Sequence, residues 1–204
     1  MTQAFTTDQL LAAFDLIGQA ASRHDQHLDI AVYGGSALML ASNFRFSSED
    51  VDIAPLGQWP DWLAAAVLEI SQRNGWNADW LNEAVGVFLS SNAGEKDHIL
   101  LGSFPRLADK SGLKIFVPTA HYMLALKLKA LRVLDPSKGE QERADILALM
   151  KVCDIATAHE ALELLERYFP VSAAAPEKLL FILKHILANG AIADDPPRYP
   201  LASR

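Results

Sequence analysis

The sequence predicts an α+β fold in its first part and an all-helical second part. Between residues 28 and 117, short apolar runs with strand character are separated by helical patterns and by turns. After Pro118 only helical periodicity follows. Half of the 204 residues are hydrophobic and 21% are charged, which is typical of a globular protein. We therefore predict a core in residues 1–118, a helical lobe packed on it in residues 119–193, and an irregular tail in residues 194–204.

The elements of the first part follow from apolar spacing and from the residues that flank each run. Thr7 and Asp8 are typical of a helix cap, and apolar residues recur at helical intervals after them. An apolar run that ends at Gly34-Gly35 predicts a buried strand, and Pro55 ends a second short strand. In chain order we predict a helix from residue 7, a strand over 28–33, a helix over 36–41, a strand over 50–54, a helix over 59–73, and strands over 85–89, 99–104 and 113–117.

Four helices are predicted in the second part, because apolar residues recur there at intervals of three and four. They cover residues 119–133, 141–154, 158–168 and 175–188. The tail carries three prolines, so we expect no regular structure in it.

Charge, cysteine content and hydrophobic runs argue against a generally basic nucleic-acid binder, a disulfide-linked secreted protein and a membrane-spanning protein. The net charge of −7 gives no general attraction for nucleic acid, so binding to RNA or DNA would need a local basic patch. Cys153 is the only cysteine, so no intrachain disulfide forms and a reducing compartment is expected. The first residues lack the features of a signal peptide, and no run approaches about 18 uninterrupted apolar residues. We expect a cytoplasmic protein without a membrane partner.

The turn Gly34-Gly35-Ser36 lies between a predicted strand and a predicted helix. Backbone N–H groups at a helix start favour an anion such as phosphate, and glycine lets a ligand approach the backbone closely. The alternative is an ordinary tight turn. A P-loop is not indicated, because no Gly-Lys-Ser/Thr follows, and a Rossmann turn would need a third glycine.

Two aspartates alternate along the next predicted strand. Side chains alternate along a strand, so Asp50 and Asp52 share a face about 6.6 Å apart, while Val51 and Ile53 face a core. Like charges at this spacing repel, and a divalent cation with oxygen ligands would offset that repulsion. The alternative is two solvated surface acids. Together, the glycine turn and the acid pair match the needs of phosphoryl or nucleotidyl transfer with Mg²⁺.

These residues resemble a known motif. The first motif of the polymerase-beta-type nucleotidyltransferase superfamily is Gly-Ser or Gly-Gly-Ser, a spacer and Asp-x-Asp. The chain is similar to it in two segments, Tyr33-Gly34-Gly35-Ser36-Ala37 and Ser48-Glu49-Asp50-Val51-Asp52-Ile53. The likeness is closest to a minimal toxin-like branch, which includes the abortive-infection toxin nucleotidyltransferases and uncharacterised relatives. Asp79-Trp80-Leu81-Asn82 is also similar to a segment of one such group.

The resemblance covers about residues 30–149 and implies both a fold and a set of site residues. The implied fold is a nucleotidyltransferase-like mixed β-sheet flanked by helices and followed by a C-terminal helical bundle. Gly34, Gly35 and Ser36 would hold a nucleoside triphosphate. Asp50 and Asp52 would bind Mg²⁺.

Two predicted helices carry charged residues on or beside their apolar faces. In the first, Lys127 lies about 60° from the centre of a leucine stripe, whereas Lys129 lies on the opposite side. We expect Lys129 to be solvated and Lys127 to reach either solvent or an anion. In the second, Glu142 and Asp145 fall within the apolar face, and a buried acid needs a partner. Glu142 is near the helix start, where an acid is favoured, so Asp145 is the deeper of the two.

The toxin-like branch has a Lys-x-x-Ala helix, a following arginine and an Asp-x-x-Asp pair. Lys127, Ala130 and Arg132 are similar to the first part, and Glu142 with Asp145 is similar to the pair. The resemblance implies that Lys127 contacts nucleotide phosphates and that Asp145 acts as an organiser or base near the acceptor. Many superfamily members also have a third carboxylate on a later strand, but the strand over residues 113–117 has none and Asp109 precedes it. Either Asp145 substitutes or the site is inactive.

Two functions are therefore predicted. The first is an enzyme: an Mg²⁺-dependent nucleotidyltransferase that transfers a nucleoside monophosphate from a nucleoside triphosphate to an RNA or protein hydroxyl. It would act as the toxin or the partner of a toxin–antitoxin system, with an antitoxin-like partner. The alternative is a catalytically inactive nucleotidyltransferase-like module that binds a nucleotide or a protein.

Overall fold

The computed structural model describes residues 4–108, 110–131, 135, 138–170, 176–189 and 195–200. Within them the chain forms a five-stranded mixed sheet flanked by helices, as expected. Two short 3₁₀ helices, Ala84–Phe88 and Glu95–Asp97, lie between the third and fourth strands. The other elements are α1 (Thr7–Arg23), β1 (Leu28–Val32), α2 (Gly34–Ala41), β2 (Val51–Pro55), α3 (Asp61–Asn74), β3 (Leu81–Asn82), β4 (His98–Phe104), β5 (Leu113–Pro118), α4 (Ala120–Ala130), α5 (Gly139–Val152), α6 (Ala158–Tyr168) and α7 (Pro176–Asn189).

The sheet has the strand order β3-β2-β1-β5-β4, with β1 at its centre. β1 pairs with β2 in antiparallel and with β5 in parallel orientation. β3 pairs with β2 in parallel, and β4 with β5 in antiparallel orientation. The β1–β5 pair needs a long crossover, because parallel neighbours cannot be joined by a hairpin.

The two faces of the sheet differ in burial. On one face, Ile30, Val32, Ile53, Ile115 and Val117 are at most 1% exposed. The register pairs these residues across β1, β2 and β5, so they form a continuous apolar layer. The opposite face carries Asp52, Lys114 and Phe116, which remain partly exposed. Asp52 therefore lies on the less buried face of the sheet.

Most predicted elements are confirmed, with small shifts at their ends. The cap of α1 is Thr6 instead of Thr7: the Thr6 hydroxyl accepts a hydrogen bond from the Gln9 backbone N–H, and the Gln9 side chain accepts one from the Thr6 N–H. This reciprocal pair satisfies two N–H groups at once. The strand predicted from Asp50 begins at Val51. The helix predicted over residues 158–168 has those bounds.

The strand predicted over residues 85–89 is wrong. Ala84–Phe88 forms a 3₁₀ helix, and Val87 is 86% exposed. The Asn82 side-chain oxygen accepts a hydrogen bond from the Ala84 N–H at 3.0 Å, a local turn that competes with a strand. The two-residue strand β3 pairs with β2 just before this turn, and it was not predicted.

Helix α1 approaches the ends of β4 and β5 at two glycines. A Cβ on Gly18 would lie 2.5 Å from the Phe104 carbonyl oxygen, and a Cβ on Gly112 would lie 2.4 Å from the Gly18 carbonyl oxygen. Both neighbours are backbone atoms, which cannot rotate away. Glycine is therefore required at both positions by the close approach of two backbones.

We expect Gly18→Ala to lower the free energy of unfolding by at least about 1 kcal/mol, because the cost of overpacking exceeds the gain in helix propensity. Urea unfolding measures this change. Gly57→Ala is the control, since a Cβ there would have no atom within 4 Å. Its effect should stay within about 0.5 kcal/mol. Equal stability of the two variants would contradict the close approach.

The chain divides into two compact units. The first comprises Met1–Ala41, Arg45–Val87 and His98–Pro118, and it contains the whole sheet. The second comprises Ser42–Phe44, Phe88–Asp97 and Thr119–Arg204. These ranges are defined by contacts, and the division into domains at residues 118 and 193 stays a prediction.

The second unit is organised around helix α4, which packs against α5 and α6, while α7 packs against α5 and α6. The Tyr168 hydroxyl donates to the buried Asp97 carboxylate at 2.7 Å, and the Gly94 N–H donates to its other oxygen at 2.8 Å. These bonds fix residues 88–97 in this unit. Val133, Ala175 and Asp194, which the predictions included, lie outside the described residues.

Residues 195–200, the described part of the predicted tail, form neither helix nor strand. None of the helices in the described ranges combines the length and the apolar character that crossing a bilayer requires.

Candidate functional site

The glycine turn and the first part of β2 meet at one end of the sheet. Val32 pairs with Ile53 in the antiparallel β1–β2 ladder. The Tyr33 N–H then donates to the Asp52 carbonyl oxygen at 2.8 Å. This register places Asp52 opposite the point at which β1 passes into α2. The structure thus brings together Gly34, Gly35, Ser36, Asp50 and Asp52, as the sequence suggested.

Position 34 requires a glycine because of its backbone conformation and because of a close neighbouring side chain. Its φ is +62°, a left-handed conformation that side chains rarely adopt. A Cβ there would also lie 2.8 Å from Oδ2 of Asp52. The Asp52 carboxylate therefore packs directly on the start of α2, in space that only a glycine leaves open.

Position 35 requires a glycine because two other side chains lie close to it. A Cβ there would lie 2.8 Å from Nη2 of Arg45 and 2.9 Å from Oγ of Ser48. The Arg45 guanidinium therefore lies against Gly35, as the Asp52 carboxylate lies against Gly34. Groups of opposite charge flank two consecutive glycines. Arg45 was not predicted from the sequence, because a loop residue ten positions after the glycines carries no periodic signal.

Ser36 is fully buried, and its hydroxyl donates to the Asp50 carbonyl oxygen at 2.5 Å. The Ser48 hydroxyl donates to the same oxygen at 3.0 Å. Two serines thus fix the backbone of Asp50 relative to the glycine turn. In this geometry the Ser36 hydroxyl positions Asp50, and the phosphate contact implied for Ser36 stays a prediction.

Asp50 and Asp52 differ from the residues that alternate with them. Val51 and Ile53 are at most 1% exposed, whereas Asp50 is exposed and Asp52 is partly exposed. The expected inward direction of the two apolar residues is confirmed.

Carboxylate oxygens in this position fit Mg²⁺, which is usually bound through one or two carboxylates with phosphate and water completing the shell. The packing of the Asp52 carboxylate against Gly34 places one such ligand at the turn. Among the described residues, no group of three or more His, Cys, Asp or Glu side chains is arranged to hold a metal. The Asp52 carboxylate lies against Gly34, and the exposed Asp50 directly precedes β2, so these two residues are the candidate ligands at the turn.

Asn82 is a second residue of this site that was not predicted from the sequence. The β2–β3 register pairs Asn82 with Asp52, so the two side chains are neighbours on one face of the sheet. The Asn82 oxygen accepts the Ala84 N–H, which turns the amide NH₂ group away from that bond. A strand of two residues has no periodic pattern, so residues 79–82 carry only a likeness to a family segment.

Lys127, Glu142 and Asp145 form a buried ionic cluster in the second unit. Nζ of Lys127 donates to both Glu142 oxygens at 2.9 and 3.0 Å and to Oδ2 of Asp145 at 2.9 Å. The side chains are 7%, 10% and 0% exposed, respectively. Lys127 thus meets an anion instead of reaching solvent, which was one of the two expected outcomes.

This cluster uses the three protons of the Lys127 ammonium group. Asp145 also accepts a hydrogen bond from the Gln141 amide at 3.0 Å. Both carboxylate oxygens of the fully buried Asp145 accept hydrogen bonds within the cluster, Oδ2 from Lys127 and Oδ1 from Gln141. This geometry supports a role for Lys127 and Asp145 in organising the second unit. The phosphate contact of Lys127 and the base role of Asp145 stay predictions.

Four further residues were considered for the site. Lys129 is exposed, as predicted, with its ammonium group 5.6 Å from the centre of the Phe169 ring. Arg132 and Asp109 lie outside the described residues. Strand β5 carries no acid. Burial raises the pKa of the Cys153 thiol to about 12, which leaves little thiolate for nucleophilic chemistry at neutral pH.

Comparison with known proteins adds no relative. No family model, no curated protein and no solved structure matches the chain.

Proposed function

We propose that this protein is an Mg²⁺-dependent nucleotidyltransferase of the minimal, toxin-like branch. It would have the nucleotidyltransferase-like fold with a C-terminal helical bundle. The observation that carries the proposal is the pair of charged groups on the glycine turn: the Asp52 carboxylate against Gly34 and the Arg45 guanidinium against Gly35. A carboxylate binds a cation, and a guanidinium binds phosphate. A nucleotide with bound Mg²⁺ contains both a cation and phosphates.

The proposed reaction moves a nucleoside monophosphate to a hydroxyl of RNA or protein. The acceptor oxygen forms a bond to the α-phosphorus, the bond from that phosphorus to the bridging oxygen breaks, and pyrophosphate leaves. The hydroxyl proton passes to water. Such a transfer depends mainly on positioning and on neutralising charge, which are tasks for the residues around the glycine turn.

Each residue of the turn has a stated task in this proposal. Asp50 and Asp52 would hold Mg²⁺, which when bound supplies positive charge to the phosphates. The backbone N–H groups of Gly34 and Gly35 lie in the first turn of α2, where an anion is favoured. Ser36 holds Asp50 in place through its carbonyl oxygen. Lys127 and Asp145 support the second unit from within their buried cluster.

The proposed biological setting is a toxin–antitoxin system, in which the protein acts as the toxin or as its partner. This part rests on the resemblance of the motifs. The partner would be an antitoxin-like protein.

Isothermal titration with each of the four nucleoside triphosphates and Mg²⁺ tests the nucleotide site. We expect at least one to bind, and we expect the Asp50→Asn/Asp52→Asn double variant to bind it at least about tenfold more weakly, since it loses the charge that attracts the cation. Asp29→Asn is the matched control: Asp29 pairs with Lys114, on the same sheet face as Asp52, and is partly exposed. Its affinity should not change. No binding by the wild type, or equal binding by the double variant, would contradict the proposal.

A second candidate function is a catalytically inactive module that binds a nucleotide or a protein. Its supporting observation is that β5 carries no acid, although a third carboxylate on such a strand is frequent in the superfamily. Binding without transfer to any acceptor is the outcome that would favour this candidate.

A further inference from the structure

Arg45 occupies a defined position beside the glycine turn. It lies in the loop between α2 and β2, and it is partly buried. Its Nε donates to the Ser47 carbonyl oxygen at 2.9 Å, which fixes one edge of the guanidinium plane. Nη2 and Cζ would lie 2.8 and 3.3 Å from a Cβ on Gly35. The head group is thus held against the backbone by contacts on two sides.

Two opposite charges lie at the turn. The Asp52 carboxylate lies against Gly34 and the Arg45 guanidinium lies against Gly35. A group that binds at the turn therefore meets a negative side chain on one side and a positive one on the other. A free phosphate can pair only with the positive Arg45 guanidinium. A polyphosphate with a bound cation can pair with the guanidinium through its phosphates and with the Asp52 carboxylate through the cation.

An arginine suits this position better than a lysine would. Its planar head group can donate two parallel hydrogen bonds to one phosphate, and its charge does not depend on pH in the physiological range. Because Nε is engaged by Ser47, the plane of the head group has a preferred orientation. That pre-orders a phosphate contact and reduces the entropy lost on binding.

We propose that Arg45 is the residue that selects nucleoside triphosphates over monophosphates, by binding the phosphates beyond the α-phosphate. The inference rests on the proposed function, because it assigns one contact within that nucleotide site. Gly35 contributes to the same contact, because a side chain there would displace the Arg45 guanidinium. Gly35 has no left-handed φ, so the contacts with Arg45 and Ser48 are what require a glycine at that position.

The test compares the affinities for one nucleoside triphosphate, its diphosphate and its monophosphate, each with Mg²⁺. In Arg45→Gln we expect triphosphate affinity to fall by about tenfold to a hundredfold and monophosphate affinity to change by less than about threefold. Arg45→Lys should fall between wild type and Arg45→Gln. The control is Arg73→Gln, an exposed arginine in the last turn of α3.

Gly35→Ala is an independent variant that leaves Arg45 in the chain. Its Cβ would press on the Arg45 guanidinium and on the Ser48 hydroxyl, so both side chains must shift. Because the Ser48 hydroxyl also holds the Asp50 carbonyl oxygen, we expect triphosphate affinity to fall at least as far as in Arg45→Gln. A triphosphate affinity equal to that of the wild type would contradict the role of Arg45.

The outcomes separate this inference from the proposed function. Selective loss of triphosphate affinity supports the assignment. If the wild type binds a triphosphate through Asp50 and Asp52 and Arg45→Gln binds it equally well, the role of Arg45 is overturned and the proposed function stands. Equal losses of affinity for triphosphate and monophosphate would also overturn the role of Arg45, because they would indicate that Arg45 only maintains the structure of the site. Failure of the wild type to bind any triphosphate would overturn the proposed function itself.

Discussion

Asp52→Asn is expected to lower the proposed Mg²⁺-dependent nucleotide transfer by at least about 10²-fold, because it removes the charge of a carboxylate that is proposed to hold the metal. The substitution keeps the shape of the side chain and removes only its charge. Asp52 packs against Gly34, so the asparagine should occupy the same space. The rate of nucleotide transfer to an acceptor measures the effect.

Two controls accompany this variant. Asp29→Asn removes the same charge from the same face of the sheet, at a site away from the glycine turn, and should transfer at the wild-type rate. Thermal unfolding shows whether Asp52→Asn remains folded. A folded Asp52→Asn protein with at least half of the wild-type rate would contradict the assigned role of Asp52.

Lys127→Met is expected to lower the free energy of unfolding by about 3–5 kcal/mol, because it leaves two buried carboxylates without their cation. Three hydrogen bonds from Nζ to Glu142 and Asp145 would be lost together. Denaturant unfolding measures the loss. The prediction follows from the fact that breaking a buried ionic cluster costs more than the cluster contributes to stability.

Lys129→Met is the matched control, on the same helix and exposed. Its change should be about 1 kcal/mol or less, the size of an exposed cation–π contact with Phe169. Replacing all three members of the cluster, as Lys127→Met/Glu142→Met/Asp145→Leu, should recover most of the lost stability. A Lys127→Met protein within about 1 kcal/mol of wild type would contradict the structural role of the cluster.

The triple variant also separates structure from chemistry at Lys127. If the variant is stable and transfers nucleotide, Lys127 is not needed to contact phosphate. If it is stable and binds triphosphate far more weakly than the wild type, the phosphate contact implied by the resemblance gains support. Lys127→Met alone cannot make this distinction, because it alters the fold as well.

Local patterns predicted much of the fold. The apolar runs ending at Gly34 and Pro55 predicted the central strand β1 and its neighbour β2, and helical spacing predicted α4 to α7 within a few residues at each end. The helix wheel also placed Lys127 and Asp145 correctly, since the burial of a helical residue follows from its angular position. These features are encoded within one turn or one strand, where spacing alone is informative.

Features that depend on distant residues were not predicted. Arg45 reaches Gly35 because the loop before β2 folds back over the turn, and Asn82 reaches Asp52 through a strand of two residues. The apolar residues near Val85 indicated a strand, but a side-chain turn at Asn82 ended the pairing. Ser36 has a place in the motif, yet only the tertiary structure shows that its hydroxyl faces Asp50.

The most direct test of the proposed nucleotidyltransferase follows the fate of the α-phosphate. Wild-type protein is incubated with Mg²⁺, RNA and protein from a cell extract, and each nucleoside triphosphate labelled at either the α- or the γ-phosphate. We expect α-label to enter an acceptor, γ-label not to enter it, and the folded Asp50→Asn/Asp52→Asn variant to transfer neither. Transfer of γ-label, or no transfer of α-label from any of the four triphosphates, would contradict nucleotidyl transfer by this site.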